Sequence, residues 1–293
     1  MDIRQLRYFL AVVDQGGIGR AATALRVAQP SLSQAIAAFE REVGVPLFHR
    51  VGRGLVLSSG GADLVGPARV VLRDLERAES VLTSQRMLAS GRLDLITMPS
   101  AGIEPFTSVA AAFLGKHPDI VLNVEPANVA SEAIRAVVTG RSELGIVGTA
   151  EPVRSPGIRA IELGRQPFIL VSAPEQRIGG EGPVPLRDLG GLRLVTTQRG
   201  SEMRGFADQM IADGIDARIV VEVGHRTSIL PLVMSGVGRA LLPDAWRGVA
   251  DRWGADVRDV EPRRELIITA VTRTAQLTPA AEAFLDMAIE LSA

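Results

Sequence analysis

Cysteine is absent from the 293 residues, so there is neither a disulfide framework nor a thiolate metal site. Histidine occurs three times, at His49, His117 and His225, too scattered to form a metal cluster at ligand spacing. Lysine occurs once, at Lys116, so arginine does nearly all the cationic work. No apolar run approaches the ~18 residues needed to cross a membrane. Neither a phosphate-cradling P-loop nor a GxSxG elbow is present. The glycine-rich Gly179-Gly180-Glu181-Gly182 does not lie between a strand and a helix, and reads as a loop. The first residues, MDIRQLRYFL, enter an amphipathic helix without a secretory signal pattern, so the expected location is the cytoplasm. These absences count against an enzyme, a metalloprotein and a membrane protein, and they imply no cofactor.

What is present is a chain long enough for two or three domains, with 46% hydrophobic residues to build their cores. The net charge of -1 conceals an asymmetry. Residues 1–60 hold seven arginines against four acids, residues 61–91 balance at four against four, and the excess acid lies beyond. A basic head on an acidic body suits a protein that places only its head on nucleic acid.

The head is organised around Ile18 to Leu57. Before it, Asp2 with Gln5 three residues on forms a capping-box pattern. It opens a helix with Leu6, Phe9, Leu10 and Val13 on its inner face, which Gly16-Gly17 stops. A second helix, Ile18 to Leu25, buries Ala21, Ala22 and Leu25, and Arg26-Val27-Ala28 forms a turn. A third begins at Gln29-Pro30, where proline's missing N–H would be unpaired anyway. Along it Leu32, Ile36, Phe39 and Val43 recur at helical spacing and face inward. Outward face Gln29, Ser31, Ser33, Gln34 and Arg41, which are hydrogen-bonding groups on a rod that fits the major groove. This is a helix-turn-helix. Phe48-His49-Arg50 and Leu55-Val56-Leu57 flank Val51-Gly52-Arg53-Gly54 as a hairpin that sets Arg50 and Arg53 against phosphates or into a minor groove.

Gln29-Pro30-Ser31-Leu32-Ser33, then Phe39-Glu40, Val43-Gly44, Pro46-Leu47-Phe48, Arg50 and Gly52-Arg53-Gly54 resemble the winged helix-turn-helix of LysR-type transcriptional regulators. Two positions depart from that pattern. Gly17 and Ala28 stand where the family often has a capping serine, and each weakens a helix start by a few tenths to ~1 kcal/mol. The resemblance implies a winged helix-turn-helix over 1–58, a dimerising linker helix over 59–91 and an effector-binding domain over 92–293. It implies double-stranded operator DNA, a small-molecule effector and a second copy of the chain as partners, assembled as a dimer of dimers.

Between Gly60 and Ser90, Leu64, Ala68, Val71, Leu75, Ala78 and Leu82 step by four and three, which is a heptad seam. Such a seam predicts self-pairing, the alternative being a helix that lies on its own domain. Ser90-Gly91 ends it, glycine being common just past a helix.

From Arg92 strands and helices alternate, which predicts parallel sheets in α/β layers. Strands are predicted at Leu93–Thr97, Ile120–Val124, Leu144–Val147, Ile158–Leu163, Phe168–Ser172, Leu192–Thr196, Arg218–Val223, Ala240–Leu242 and Ile267–Thr272. Helices are predicted at Pro105–Leu114, Val129–Val138, Ser201–Asp213, Ser228–Ser235 and Pro279–Leu291. Two sets with a late return strand suggest subdomain I over 92–163 and 267–293, and subdomain II over 164–266. With Pro118-Asp119, Glu143-Leu144-Gly145-Ile146-Val147 and Gly236-Val237-Gly238-Arg239-Ala240-Leu241-Leu242-Pro243, this half resembles the periplasmic-binding-protein-like effector domain of the same family.

Ligands of open α/β sheets collect beyond the carboxyl ends of strands. Those ends carry Ser100, Asn128, Thr149, Thr196, Ser201 and Thr227, a set suited to a small polar or anionic molecule. Read singly, Ser100, Asn128 and Ser201 could serve only as helix caps. His225 is the candidate charge-sensitive contact, although a lone histidine more often serves as a structural hydrogen bonder. The rival reading is an architectural DNA binder whose α/β part only oligomerises and binds no ligand.

Overall fold

Asp2 starts α1 (Ile3–Gln15) with both hydrogen bonds of a capping box, and Gly16 ends it at φ 62°. Helix α2 (Ile18–Leu25) follows, then Arg26 turns the chain with a left-handed φ of 54°. Helix α3 (Gln29–Val43) carries proline in its first turn and ends at Gly44, φ 76°. Gly17 and Ala28 occupy the two N-cap positions without a side-chain hydrogen bond. Strands β1 (Phe48–Val51) and β2 (Gly54–Leu57) pair antiparallel, Phe48 opposite Leu57. Helix α4 (Ser59–Leu82) completes this part of the chain.

The computed structural model describes residues 1–51, 54–82, 91–180, 182–275 and 277–292. They divide into two units, Met1–Met87 with Thr139–Arg141, and Leu88–Val138 with Ser142–Ala293.

The core of the first unit is aromatic. Phe9 and Phe39 are fully buried, with ring centroids 6.4 Å apart, and Phe48 of the hairpin lies 5.5 Å from Phe9. Helix α4 joins this core directly. Gly61 is obligatory there, because a Cβ would lie 2.1 Å from the Leu47 carbonyl oxygen. Leu64, Val65, Ala68 and Leu72 pack into the head, so the first two positions of the seam are occupied within the chain. Val71, 44% exposed, and the half-buried Leu75 do not belong to that core. The side chains of Ala78 and Leu82, and the expected continuation of the helix to residue 90, lie outside the described residues.

The second unit begins with β3 (Gly91–Thr97), flanked in parallel by β4 (Ile120–Pro126) and β5 (Leu144–Thr149). Helices α5 (Pro99–Ile103), α6 (Phe106–Lys116) and α7 (Ala130–Val138) connect them. The expected strands Ile158–Leu163 and Phe168–Ser172 are one strand, β6 (Ile158–Ser172). Its first part pairs antiparallel with β12 (Glu265–Arg273), and its last part pairs with β10 (Ala240–Pro243) and β11 (Asp256–Glu261). Thus β6 runs from one subdomain into the other, and β12 returns beside it. A register shift at Ile268/Thr269 faces Glu162 and Gly164.

The remaining elements are β7 (Val184–Pro185), β8 (Leu192–Thr197), α8 (Glu202–Ala212), β9 (Ala217–Val223), α9 (Ile229–Met234), α10 (Arg247–Arg252) and α11 (Pro279–Glu290). Strands β8 and β9 pair in parallel, whereas the larger sheet, ordered β4-β3-β5-β12-β6-β11-β7, is mixed. This corrects the expectation of parallel sheets. Return strands such as β6 and β12 must run against their neighbours to link two lobes, and alternating strands and helices do not signal them. In subdomain I, Phe284 of α11 meets Phe113 and Phe106 of α6 at 5.2 and 6.2 Å. In subdomain II, Met203, Phe206, Ala207 and Met210 seat α8 in the core.

Candidate functional sites

On α3, the buried stripe Leu32, Ile36 and Phe39 leaves Gln29, Ser31, Gln34 and Arg41 exposed and Ser33 half-buried. The Arg41 Nε donates to the Ala37 carbonyl at 3.2 Å, which draws that side chain along its own helix. Gln34 therefore stands opposite the core with small Ala37 and Ala38 beside it, and an extended surface can approach closely. Arg50 lies on β1, but its side chain, like the whole of Arg53 and the hairpin turn, falls outside the described residues.

A contact that sequence reasoning missed fixes the wing. The Glu40 carboxylate, on the last turns of α3, accepts from the backbone N–H groups of Leu47 at 2.8 Å and Phe48 at 3.0 Å. Ser58 closes the other end. Its hydroxyl donates to the Pro46 carbonyl at 2.5 Å and accepts from the Gly61 N–H. One helical carboxylate thus ties the hairpin to the recognition helix. The bonds are charge-assisted, which makes them stronger than neutral ones.

In the second unit, Ser100, Thr149 and Thr196 are all buried, between 2% and 9% exposed. Helix α5 begins at Pro99 with Met98 as its N-cap, so Ser100 sits inside its first turn and caps nothing. Ser201 does cap α8, accepting from the Arg204 N–H, and its hydroxyl also meets that of Thr197. The Thr149 hydroxyl donates to the Glu151 carbonyl at 2.6 Å. Asn128 is exposed and its N–H is taken by the Glu132 carboxylate at 2.7 Å. Thr227 is exposed too, and His225, favoured above for a charge-sensitive role, is likewise exposed.

One hydrogen bond and one close approach join residues of the two subdomains. The Arg226 Nη1 donates to the Ser100 Oγ at 3.3 Å, joining the turn after β9 to the helix after β3. The Glu202 carboxylate, at the start of α8, lies near the Ala150 N–H just past β5, which favours its charged form. Burial pushes the Glu202 pKa above the ordinary carboxylate range; the Ala150 N–H opposes this, and neighbouring Glu151 adds to it. Burial also pulls the Arg226 guanidinium down to about 10. Ser100 is thus brought to a charged partner, Arg226, that lies 126 residues further along the chain. No group of three or more metal-ligating side chains occurs among the described residues. Nor is any described helix long and apolar enough to cross a membrane.

A helix-turn-helix head with a hairpin wing and a two-lobed α/β unit define a DNA-binding regulator with a ligand-binding half. Residues 3–62 match the family model described as a bacterial regulatory helix-turn-helix protein of the lysR family, and residues 87–293 match the LysR substrate binding domain. The transcriptional regulator IlvR of Caulobacter vibrioides is 32% identical over 259 residues, 85% of each chain. Full-length CbnR complexed with its target DNA shares the fold at a TM-score of 0.72 and 23% identity, over 100% of both chains. A variant of full-length OxyR from Pseudomonas aeruginosa does so at 0.79 and 20%, covering 100% of this chain and 94% of its own. The chain belongs to the LysR family and is a DNA-binding transcriptional regulator.

Proposed function

We propose that Gln29, Ser31, Ser33 and Gln34 on α3 read an operator, while Arg50 and Arg53 of the wing hold its backbone. A small polar or anionic effector occupies the cleft bounded by Ser100, Thr149, Thr196 and Ser201, with Asn128 and Thr227 at the rim. Val71 and Leu75 of α4 pair two copies, two such pairs form the tetramer, and the protein works in the cytoplasm. Closing the cleft favours one arrangement of the paired chains, and operator occupancy changes with it. A ligand shifts such an equilibrium only by its differential affinity for the two states. Groups that bridge the lobes, as Arg226 and Ser100 do at 3.3 Å, supply that difference, because their spacing changes on closure. That bridge carries the reading.

The rival is a chain whose α/β unit binds nothing. Native-state binding raises stability by RT ln(1 + [L]/Kd), about 2.7 kcal/mol at a hundredfold excess over Kd. Thermal melts against a library of small polar metabolites test this directly. Compounds that stabilise the parent chain and not Ser100→Leu, with operator gel shifts intact in both, support the effector cleft. A library without one stabilising compound favours the rival.

A further inference from the structure

Two arginines of subdomain II are withdrawn wholly or partly from water, and they are treated very differently. Arg204, 5% exposed, has two carboxylates, Asp208 at 2.7 Å and Glu222 at 2.6 Å, which hold it charged. Arg226 has no carboxylate within ion-pair distance among the described residues; its recorded side-chain partner is the neutral Ser100 hydroxyl. A desolvated charge without a counter-ion is costly, and structures ordinarily pair it. An unsatisfied donor lies against the short helix that holds Ser100. Helix α5, which carries Ser100, packs against the turn Asp244–Trp246, and the buried Trp246 indole N–H has no hydrogen-bond partner among the described residues. Helix α5 thus meets both a guanidinium without a carboxylate partner and an indole N–H without an acceptor among the described residues.

We infer that Arg226 is the anchor of the cleft and that the ligand it awaits is a small monocarboxylate, shared with the Ser100 hydroxyl. This rests on the cleft being the effector site. The guanidinium fork matches a carboxylate in two parallel hydrogen bonds, and the match is stronger away from water. One guanidinium balances one negative charge. At the start of α8, in the same subdomain, the half-buried Glu202, with Glu151 beside it, opposes a second negative charge. A monoanion is therefore favoured over phosphate or a dicarboxylate. Because Arg226 comes from the second subdomain and Ser100 from the first, an anion held by both closes the lobes on itself.

The test is thermal unfolding of the full chain at constant ionic strength with acetate, butyrate and benzoate, their amides acetamide, butyramide and benzamide, and inorganic phosphate. At least one carboxylate raises the melting temperature saturably, while its amide and phosphate do not. Arg226→Gln weakens that carboxylate by at least about tenfold, the loss of one charge-assisted hydrogen bond. Its own melting temperature without ligand is no lower than that of the parent, since an unpaired charge has been removed. Should that variant fold poorly, Arg226→Lys, which keeps the charge and loses the fork, binds with intermediate affinity.

Equal shifts by acid and amide overturn the anion inference, as do an unaltered response in Arg226→Gln or no response to any carboxylate. The cleft reading is judged separately through Ser100→Leu. Ligands blocked by that change but indifferent to Arg226 leave the cleft standing without the anion. Ligands indifferent to both changes remove the cleft as well.

Discussion

Replacing Glu40 by alanine removes the single acceptor of two backbone N–H groups, those of Leu47 at 2.8 Å and Phe48 at 3.0 Å. Leu47 is 1% exposed, so its N–H is left without water, whereas Phe48 is half-buried and partly rehydrates. An unsatisfied buried donor costs about 1–3 kcal/mol. The two together give a loss of roughly 2–4 kcal/mol, with the Phe48 share at the low end. Both tryptophans, Trp246 and Trp253, lie in the second unit, so their fluorescence cannot report this change. Amide hydrogen exchange can. Peptides spanning α3, the hairpin and the start of α4 should exchange about 30- to 700-fold faster, at 1.4 kcal/mol per tenfold. The tryptophan-detected melt should be unmoved. Glu40→Gln, which keeps an acceptor oxygen and loses the charge, should fall between. Protection in the head unchanged within threefold, in a folded Glu40→Ala protein, would refute the assignment of the wing's anchor to this carboxylate.

Gln34→Ala should weaken operator binding by about 1–3 kcal/mol and relax preference at one base position, read from footprints on a library of operator variants. An unchanged footprint would remove Gln34 from the reading face. Leu75→Glu puts like charges at a facing position of α4 and should yield monomers in sedimentation velocity; the parent oligomer persisting would count against pairing there. For Glu202 the folded pKa is raised by burial, so the folded state holds its proton more tightly than the unfolded chain. Its contribution is most favourable below pH 4.5 and is lost as pH rises through the raised value. Melts of Glu202→Gln should therefore gain on the parent as pH increases above 4.5, and a constant difference would show that the carboxyl is not desolvated.

The head was legible because its signals are local. Gly16 ends a helix, Pro30 starts one, and Leu32, Ile36 and Phe39 repeat at helical spacing, so α2 begins and ends at its expected residues and α3 begins at its own. The anchoring of the wing was not legible. Glu40 on a helix looks like a solvated carboxylate, and its partners are backbone groups seven and eight residues on, which side-chain identity does not advertise. The seam shows a related ambiguity. Heptad spacing says that Leu64 and Ala68 are buried without saying by what, and here the head buries them. Strand β11 reads DVRDVE, too polar to announce a strand that lies between β6 and β7. Beyond β3, the strand's carboxyl end pointed to Ser100 through topology. Its partner Arg226, 126 residues away, could be recognised only once the fold had joined them. His225, one residue earlier, attracted the charge-sensitive role because imidazole titrates near neutrality, yet its exposure makes it the weaker candidate.

The central claim is that occupancy of the cleft is transmitted to the DNA-binding head, and one footprinting experiment tests it most directly. The parent protein and Ser100→Leu are footprinted on the DNA upstream of the protein's own gene, with and without a compound that stabilises the parent in thermal melts. Both proteins should protect the site without the compound. With it, the parent's protected region should lengthen or shorten while that of Ser100→Leu stays as it was. A parent footprint indifferent to a bound, stabilising compound would contradict the account.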